Sequence, residues 1–432
     1  MESTIKIPSR FKSLDFMKGL ALVLILESHL GIWWGDGTWT SAWTLMELFI
    51  RPLGPTNFIM ISIFGMILSL NIRDKAAPGK SELPRLLKRS FVFIVIGTIL
   101  TMIELTSEIA NPSIFFGYKL ARIFFTWNIF TYLGFVQIII YFFRRLNVKI
   151  QIVCTLAVFI FFYITVPIVV QIFINRHVDY VTGNVDLSSG MTGTLFVYFT
   201  LFFENSMAPL IPYIATSFLV CIVYTKLLDI CSSKEIERSK LAAEFRAIKW
   251  KALVLIIAGI ATGFMLSPGL IGQVEYQRLI EPFIIQVGSN TYVSQLWDPV
   301  LGGYPLFLQQ NNPSYILYSF GLVSMISMAL LERIDIPGKN PAIIDVLARF
   351  GMYSLSVFLT HAIASYIPLS FGFLAFFGAL AIVAAGYIVV LDIWDYKWKG
   401  KFTIEYWLKL FLSTDISVAI KKRRALKKAT IS

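Results

Sequence analysis

The stretch Leu14-Asp15-Phe16-Met17-Lys18-Gly19-Leu20-Ala21-Leu22-Val23-Leu24-Ile25-Leu26-Glu27-Ser28-His29-Leu30-Gly31-Ile32-Trp33-Trp34 decides the fold. As one helix it is long enough to cross ~30 Å of hydrocarbon. It nevertheless carries Lys18, Glu27 and His29. Lys18 and His29 stand eleven residues apart, in a chain with only three histidines. At about 100° per residue the two side chains return to within ~20° of one face, roughly 16 Å apart along the axis. One helix therefore presents a cation near one end and a titratable imidazole near the other. The run ends in Trp33, Trp34, Gly35 and Asp36 rather than a small-residue cleavage site, so it is expected to stay as a transmembrane helix.

Working outward, a chain of 432 residues with 56% hydrophobic, 15% aromatic and 15% charged side chains is too apolar for a soluble protein. Membrane-length apolar runs fall at 14–34, 55–72, 90–106, 121–143, 151–174, 208–228, 252–268, 314–331, 351–368 and 370–391. The expectation is an all-α polytopic bundle of about ten transmembrane helices. Basic residues are retained on the cytoplasmic side, which provides an independent count of crossings. Of 38 Lys and Arg, 32 lie in segments 1–13, 73–89, 144–149, 226–251, 332–350 and 392–432. The alternate connections hold only Arg51, Lys119, Arg176 and Arg278, and Lys18 and Arg122 fall inside spans. Both termini are therefore expected in the cytoplasm, with the chain multi-pass in the cell membrane. The net charge of +12 is this signal, reinforced by anionic headgroups. The lipid bilayer is the partner it implies, and nucleic acid is not required.

Cys154, Cys221 and Cys231 show neither paired nor metal-ligand spacing, so no disulfide framework and no metal site is expected. No Walker-type or Rossmann glycine pattern occurs, which argues against an ATP-driven pump or a nicotinamide enzyme. Residues 1–391 are read as one membrane domain with two long outer loops, 175–207 and 269–312, and 392–432 as a basic amphipathic cytoplasmic tail. The run 191–204 reads as an interfacial or re-entrant helix. The second loop mixes Glu275, Arg278, Glu281, Gln286, Trp297, Asp298 and Tyr304, which suits either a sugar-like acceptor or a plain lid.

The stretch Arg10 to His29 resembles the opening helix of the transmembrane acyltransferases. That group comprises acyltransferase family 3, the heparan-alpha-glucosaminide N-acetyltransferases and YeiB-like relatives, which begin with Arg, Leu/Ile-Asp and Arg-Gly, then often a histidine eleven residues on. Further short stretches are similar and follow in family order: Phe58 to Ser69, Asn128 to Gly134, Pro209 to Tyr213, Gly351 to His361, and Gly400 to Trp407. Two positions depart from the pattern. Lys18 stands for an arginine, keeping the charge but losing the planar fork, and Asn128 stands for an acid.

The resemblance implies acyl transfer from acyl-CoA, most simply acetyl-CoA, to a carbohydrate or glycolipid acceptor, with no metal. Lys18 would anchor the donor, and Arg10 and Asp15 belong to the same motif. Arg85, Lys88 and Arg89, just before the third run, are further candidates for phosphate contacts, or else simple retention signals. His29 is the expected general base, because imidazole has a pKa near working pH; direct attack and an acetyl-histidine intermediate are both open. His361 either lines the acceptor pocket or completes a hydrogen-bond network, and His177 reads as a solvated loop residue. Asp15 is expected to pair with Lys18 one turn on, or to cap the helix. Glu27 points about 160° away from His29, toward a partner such as Asn128 or Ser62. A homo-oligomer is compatible with this picture. The competing class is a transporter of a small polar or lipid-linked glycan, routed past Lys18, Glu27, His29 and His361.

Overall fold

In the computed structural model the described backbone comprises residues 4–6, 10–35, 50–79, 81–104, 128–176, 178–179, 184–185, 210–233, 235–265, 306–308, 313–338, 341–367 and 369–412. The expectations for His177, the run 191–204, most of loops 175–207 and 269–312, and the basic cluster Lys421 to Lys428 lie outside these residues.

The architecture is a helix bundle. In chain order it contains α1 (Lys12–Trp34), α2 (Pro55–Ala76), α3 (Leu83–Glu104), α4 (Ile129–Phe143), α5 (Val148–Arg176), α6 (Leu210–Cys231), α7 (Arg238–Met265), α8 (Pro313–Leu330), α9 (Ala342–Met352), α10 (Ser354–His361), α11 (Phe373–Trp398) and α12 (Ile404–Leu412). Two short antiparallel ribbons accompany them: β1 (Thr4–Lys6) with β4 (Glu235–Glu237), and β2 (Val178–Asp179) with β3 (Asn184–Val185).

Six helices among the described residues combine the length and apolarity needed to cross a bilayer, and α9 with α10 makes a seventh if the bent pair is one span. α1 is not among the six, and α4, at 15 residues, is shorter than the roughly 20 that a perpendicular crossing takes. Helices often outrun the apolar stretches that mark them. α7 begins at Arg238 where the apolar run begins at 252, and α11 continues past 391 to Trp398, because hydropathy detects only the part of a helix immersed in hydrocarbon. The run 351–368 is not one helix. Its first two residues end α9, which starts back at Ala342, and at Tyr353 the chain turns by 71° into α10.

The core is made by Met17, Ala21 and Leu22 of α1, Ile59 and Ile63 of α2, Tyr132 and Val136 of α4, Val220 and Tyr224 of α6, and Ile316 and Phe320 of α8, all nearly inaccessible. On the periphery, Leu374 and Ile382 of α11 are 83% and 75% exposed, and Val254 and Ile257 of α7 are exposed as well. Such apolar faces would be a liability in water and match acyl chains.

α1 packs most closely against α9. A Cβ on Gly19 would overlap the carbonyl oxygen of Leu347, and one on Gly351 would overlap that of Asp15. Small residues that let backbones approach are the usual glue of helices in lipid, where no hydrophobic drive brings them together. The two glycines of the opening and late motifs are thus the two sides of one crossing.

Ion pairs identify one end of the bundle. Lys12 reaches Asp345 at 3.0 Å, Arg144 reaches Asp74 at 2.6 Å, and Lys75 reaches Asp229 at 3.0 Å. Lys249 pairs with Glu332, and Arg349 with Asp392. Exposed pairs of this kind stabilise little, but they connect members of all six basic segments. Those segments therefore lie together at one end.

Candidate functional site

The first turn of α1 is organised by groups from elsewhere in the chain. Its N-cap, Phe11, has no side chain for the task. The carboxylate of Asp335 instead accepts from Lys12 N at 2.7 Å and Ser13 N at 3.1 Å, satisfying donors that a helix start leaves orphaned. Asp15 is therefore not the cap. Nor does it form the expected pair with Lys18, because Arg10 takes both its oxygens, through Nε and, at 2.9 Å, through Nη2. That hydrogen-bonded pairing holds the Arg10 guanidinium above its ordinary pKa.

Next to this pair a cavity of about 610 Å³ enters the bundle between α1, α2, α3, α4, α12 and the α9–α10 junction. Arg10 and Ile72, both exposed, stand among its lining residues, and the volume is in the range of small-molecule and cofactor sites. Its charged wall consists of Arg10, Asp15, Lys18, Arg73, Arg89 and Glu405. Several of these charges are already matched: Arg10 by Asp15, and Arg73 by Glu82 at 3.0 Å. Glu405 accepts from Leu355 N at 2.6 Å, Ser356 N at 3.0 Å and Ser356 Oγ at 2.6 Å, so it caps α10 from α12. Lys18 and Arg89, by contrast, form no ion pair with any described residue. Each lies over a ring, Lys18 Nζ at 5.0 Å from the centre of Phe58 and the Arg89 guanidinium at 5.3 Å from Phe93. Cations over aromatic faces keep their charge in a partly dry site, so the cavity has unmatched positive charge to offer an anion.

The turn before α12 makes the Glu405 cap possible. Lys399 and Gly400 adopt positive φ, 49° and 70°, and Tyr353 Oη lies where a side chain on Gly400 would go. Tyr353, the break residue, donates to Asp395 Oδ1 at 2.7 Å. The tail thus fixes both the break and the start of α10.

The two histidines meet at a second place. His29 Nδ1 lies 2.8 Å from His361 Nε2, and His361 Nδ1 is hydrogen-bonded to the carbonyl oxygen of Phe358. A carbonyl only accepts, so His361 carries its proton on Nδ1 and its Nε2 accepts from His29 Nδ1–H. The Nε2 of His29 is left with a lone pair. His361 is buried, His29 half-buried, and Trp33 stacks on His361 with ring centres 5.7 Å apart. Trp34 ties the far end of α1 to the segment after α10 by donating to the carbonyls of Ala364 and Ile367, each at 3.2 Å.

Neither imidazole lines the cavity. Lys18 and His29 thus mark two sites at different depths of α1, as their eleven-residue spacing requires. Of the basic trio before the third run, only Arg89 lines the cavity; Arg85 and Lys88 do not. Asn128 is engaged as the cap of α4: its Oδ1 accepts from Phe130 N and Thr131 N, each at 3.0 Å, while its Nδ2 donates to Gly97 O and Thr101 Oγ1. Both amide hydrogens are used, so of the two partners expected for Glu27, Asn128 and Ser62, Asn128 is not one. The amide also does what a carboxylate could not, since it donates as well as accepts.

Sequence reasoning did not single out Arg73, Trp33, Phe358 or Glu405 as site residues. Phe358 and Glu405 lie within the stretches Gly351 to His361 and Gly400 to Trp407, and Arg73 within the basic segment 73–89. Nothing in the sequence marks Trp33. No protein-family model, curated protein or solved structure matches this chain.

Proposed function

We propose that this protein is a membrane acyltransferase that moves a short acyl group, in the first instance acetyl, from acyl-CoA held in the basic cavity to a hydroxyl or amine arriving at His29. The observation that carries this reading is the pairing of two unmatched cations, Lys18 and Arg89, in a cofactor-sized cavity with an imidazole on the helix of Lys18, His29, whose Nε2 lone pair is left free by its hydrogen bond to His361 of α10. Phosphates favour such cations, and an oriented imidazole is suited to a general base. The acceptor O–H or N–H gives its proton to His29 Nε2 while its oxygen or nitrogen attacks the thioester carbonyl. The C–S bond breaks, and the leaving thiolate takes the proton from the imidazolium. The products are acylated acceptor and free thiol. The resemblance of the opening helix to transmembrane acyltransferases points the same way and suggests a carbohydrate or glycolipid acceptor.

In this reading the chain crosses the cell membrane ten times, with 351–368, which contains α10, as the ninth span, and the six basic segments face the cytoplasm. Single cysteines at Lys240 and Ser370, in a version without Cys154, Cys221 and Cys231, should label differently with an impermeant maleimide on intact cells, Ser370→Cys strongly and Lys240→Cys hardly. Equal labelling breaks the ten-crossing topology. For the chemistry, purified protein with acetyl-CoA and a panel of sugar and glycolipid acceptors should release free thiol only when an acceptor is present. A route past Lys18, Glu27, His29 and His361 in a transporter of a small polar or lipid-linked glycan is the alternative, and it predicts no thiol release at all.

A further inference from the structure

Phe358 occupies the boundary between the two sites. Its ring packs edge-on against Phe130 with centres 4.8 Å apart and lies 6.5 Å from Phe58, both of which line the cavity. It also packs edge-on against His361 at 4.7 Å and lies 6.3 Å from His29. Among the described residues it is the one side chain in ring contact with both the cavity wall and the two imidazoles. It is nearly inaccessible. Its carbonyl accepts from His361, so the residue that sets the relay's tautomer is also in ring contact with the cavity wall. Phe58, beneath Lys18, completes the aromatic wall on the donor side.

The helix bearing this ring is unusual in how it is held. α10 has eight residues, departs from α9 at 71°, and continues into a single-turn segment, Ala362–Tyr366, of tighter winding. Its start is fixed by Glu405 from the tail, so the ring is positioned from the basic end of the molecule.

We infer that Phe358 is the specificity-determining residue for the transferred group: its ring must turn aside to admit the reacting end of the donor, and the space so opened limits that end to a short acyl chain. This rests on the acyltransferase reading and adds what that reading leaves open, the chain length. Anchoring is separated from selection, since Lys18 and Arg89 hold the anionic part whatever the acyl chain is. A long-chain donor should therefore bind to the unaltered protein but react slowly, a defect in kcat rather than in KM. Apolar pockets discriminate about 10- to 200-fold per methylene, so a closed end rejects long chains strongly.

The test compares acetyl-, butyryl- and octanoyl-CoA with purified full-length protein, Phe358→Ala and the milder Phe358→Leu, each checked for monodispersity. Thiol release is measured alongside CoA binding by calorimetry. The expected result is that octanoyl-CoA inhibits acetyl transfer competitively in the unaltered protein, and that the acetyl-to-octanoyl preference falls by about tenfold or more in Phe358→Ala, with Phe358→Leu intermediate. Donor binding should stay within about twofold. Should the unaltered protein bind CoA and use octanoyl-CoA as well as acetyl-CoA, or should both variants keep the original preference, Phe358 is not the gate, and the acyltransferase reading stands. Should CoA fail to bind and no donor release thiol, the reading itself falls and the gate with it.

Discussion

The two polar sites on α1 differ in kind. Around Lys18 the wall is charged and assembled from residues far apart in the chain, Arg10, Arg73, Arg89 and Glu405 among them. Around His29 the polar contacts of the relay are neutral: one imidazole, a second imidazole and a backbone carbonyl in series. A charged wall holds a ligand by attraction and tolerates some imprecision in placing. A neutral relay contributes only if each hydrogen bond points the right way, and so should be far more sensitive to the loss of one atom. The first is suited to anchoring, the second to moving a proton.

This contrast sets the largest expected effect. His29→Ala removes the base and should lower turnover by about 10² to 10⁴, while CoA affinity stays near that of the unaltered protein because no cavity residue is touched. His361→Ala keeps the base but frees its ring; misplacement on this scale costs roughly 10² in rate, again with binding spared. Thiol release and CoA binding measured on the same monodisperse samples decide it. A His29→Ala protein with unchanged turnover would remove the base from His29 and shift the balance to transport.

The charged site should respond in the opposite sense. Lys18→Ala deletes one charge-assisted contact, worth about 1.5–3 kcal/mol, so the apparent KM for acyl-CoA should rise roughly ten- to a hundredfold with a smaller change in kcat. Lys18→Arg retains the charge and adds the fork, and should come close to the unaltered protein or bind more tightly. If Lys18→Ala instead lowers kcat at constant KM, the separation of anchoring from chemistry does not hold.

The fold was legible where a single local property specified it. Apolar runs marked the helices, and the asymmetry of Lys and Arg placed six segments at one end, where ion pairs now join them. Gly19 and Gly351 were visible as motif residues, but the fact that they face each other depends on α9 crossing α1, which no local window contains. The bend at Tyr353 was hidden for a related reason: hydropathy reports the cost of transfer into lipid and says nothing about direction, and α9 before the bend lies mostly in the basic segment 332–350, outside the run 351–368. The relay pairs residues 332 positions apart, and Asp335 caps a helix start over 300 residues away. Such contacts between separate helices need the topology first. The role of Asn128 as the cap of α4 likewise emerged only with Gly97 O beside it.

The glycine crossing offers a smaller effect of a different type. Gly19→Ala or Gly351→Ala would drive a methyl into a neighbouring carbonyl. The backbones would have to part, at a cost of about 1–3 kcal/mol in line with overpacked interiors. The melting temperature in detergent should drop for both, and activity should fall with it, since α1 carries both sites. A Gly19→Ala protein of unchanged stability would mean the crossing is looser than described.

The smallest effect is the most pointed, because it separates three residues that the sequence treats alike. Arg85, Lys88 and Arg89 share one helix start and one sign of charge. Arg85 and Arg89 are four apart and so lie on one face, yet only Arg89 reaches the cavity, over Phe93. Arg85 is a turn nearer the helix start, while Lys88, about 100° round from Arg89, is exposed. Arg85→Ala and Lys88→Ala should then behave as ordinary surface changes, within about 0.5 kcal/mol in stability and within roughly twofold in the KM for acyl-CoA, whereas Arg89→Ala should weaken the donor as Lys18→Ala does. Steady-state kinetics of the three variants at fixed ionic strength make the comparison, fixed because a general loss of positive potential would also weaken an anion and is screened by salt. Equal weakening by all three would mean that the basic end attracts the donor through its summed charge and that no cavity cation is special.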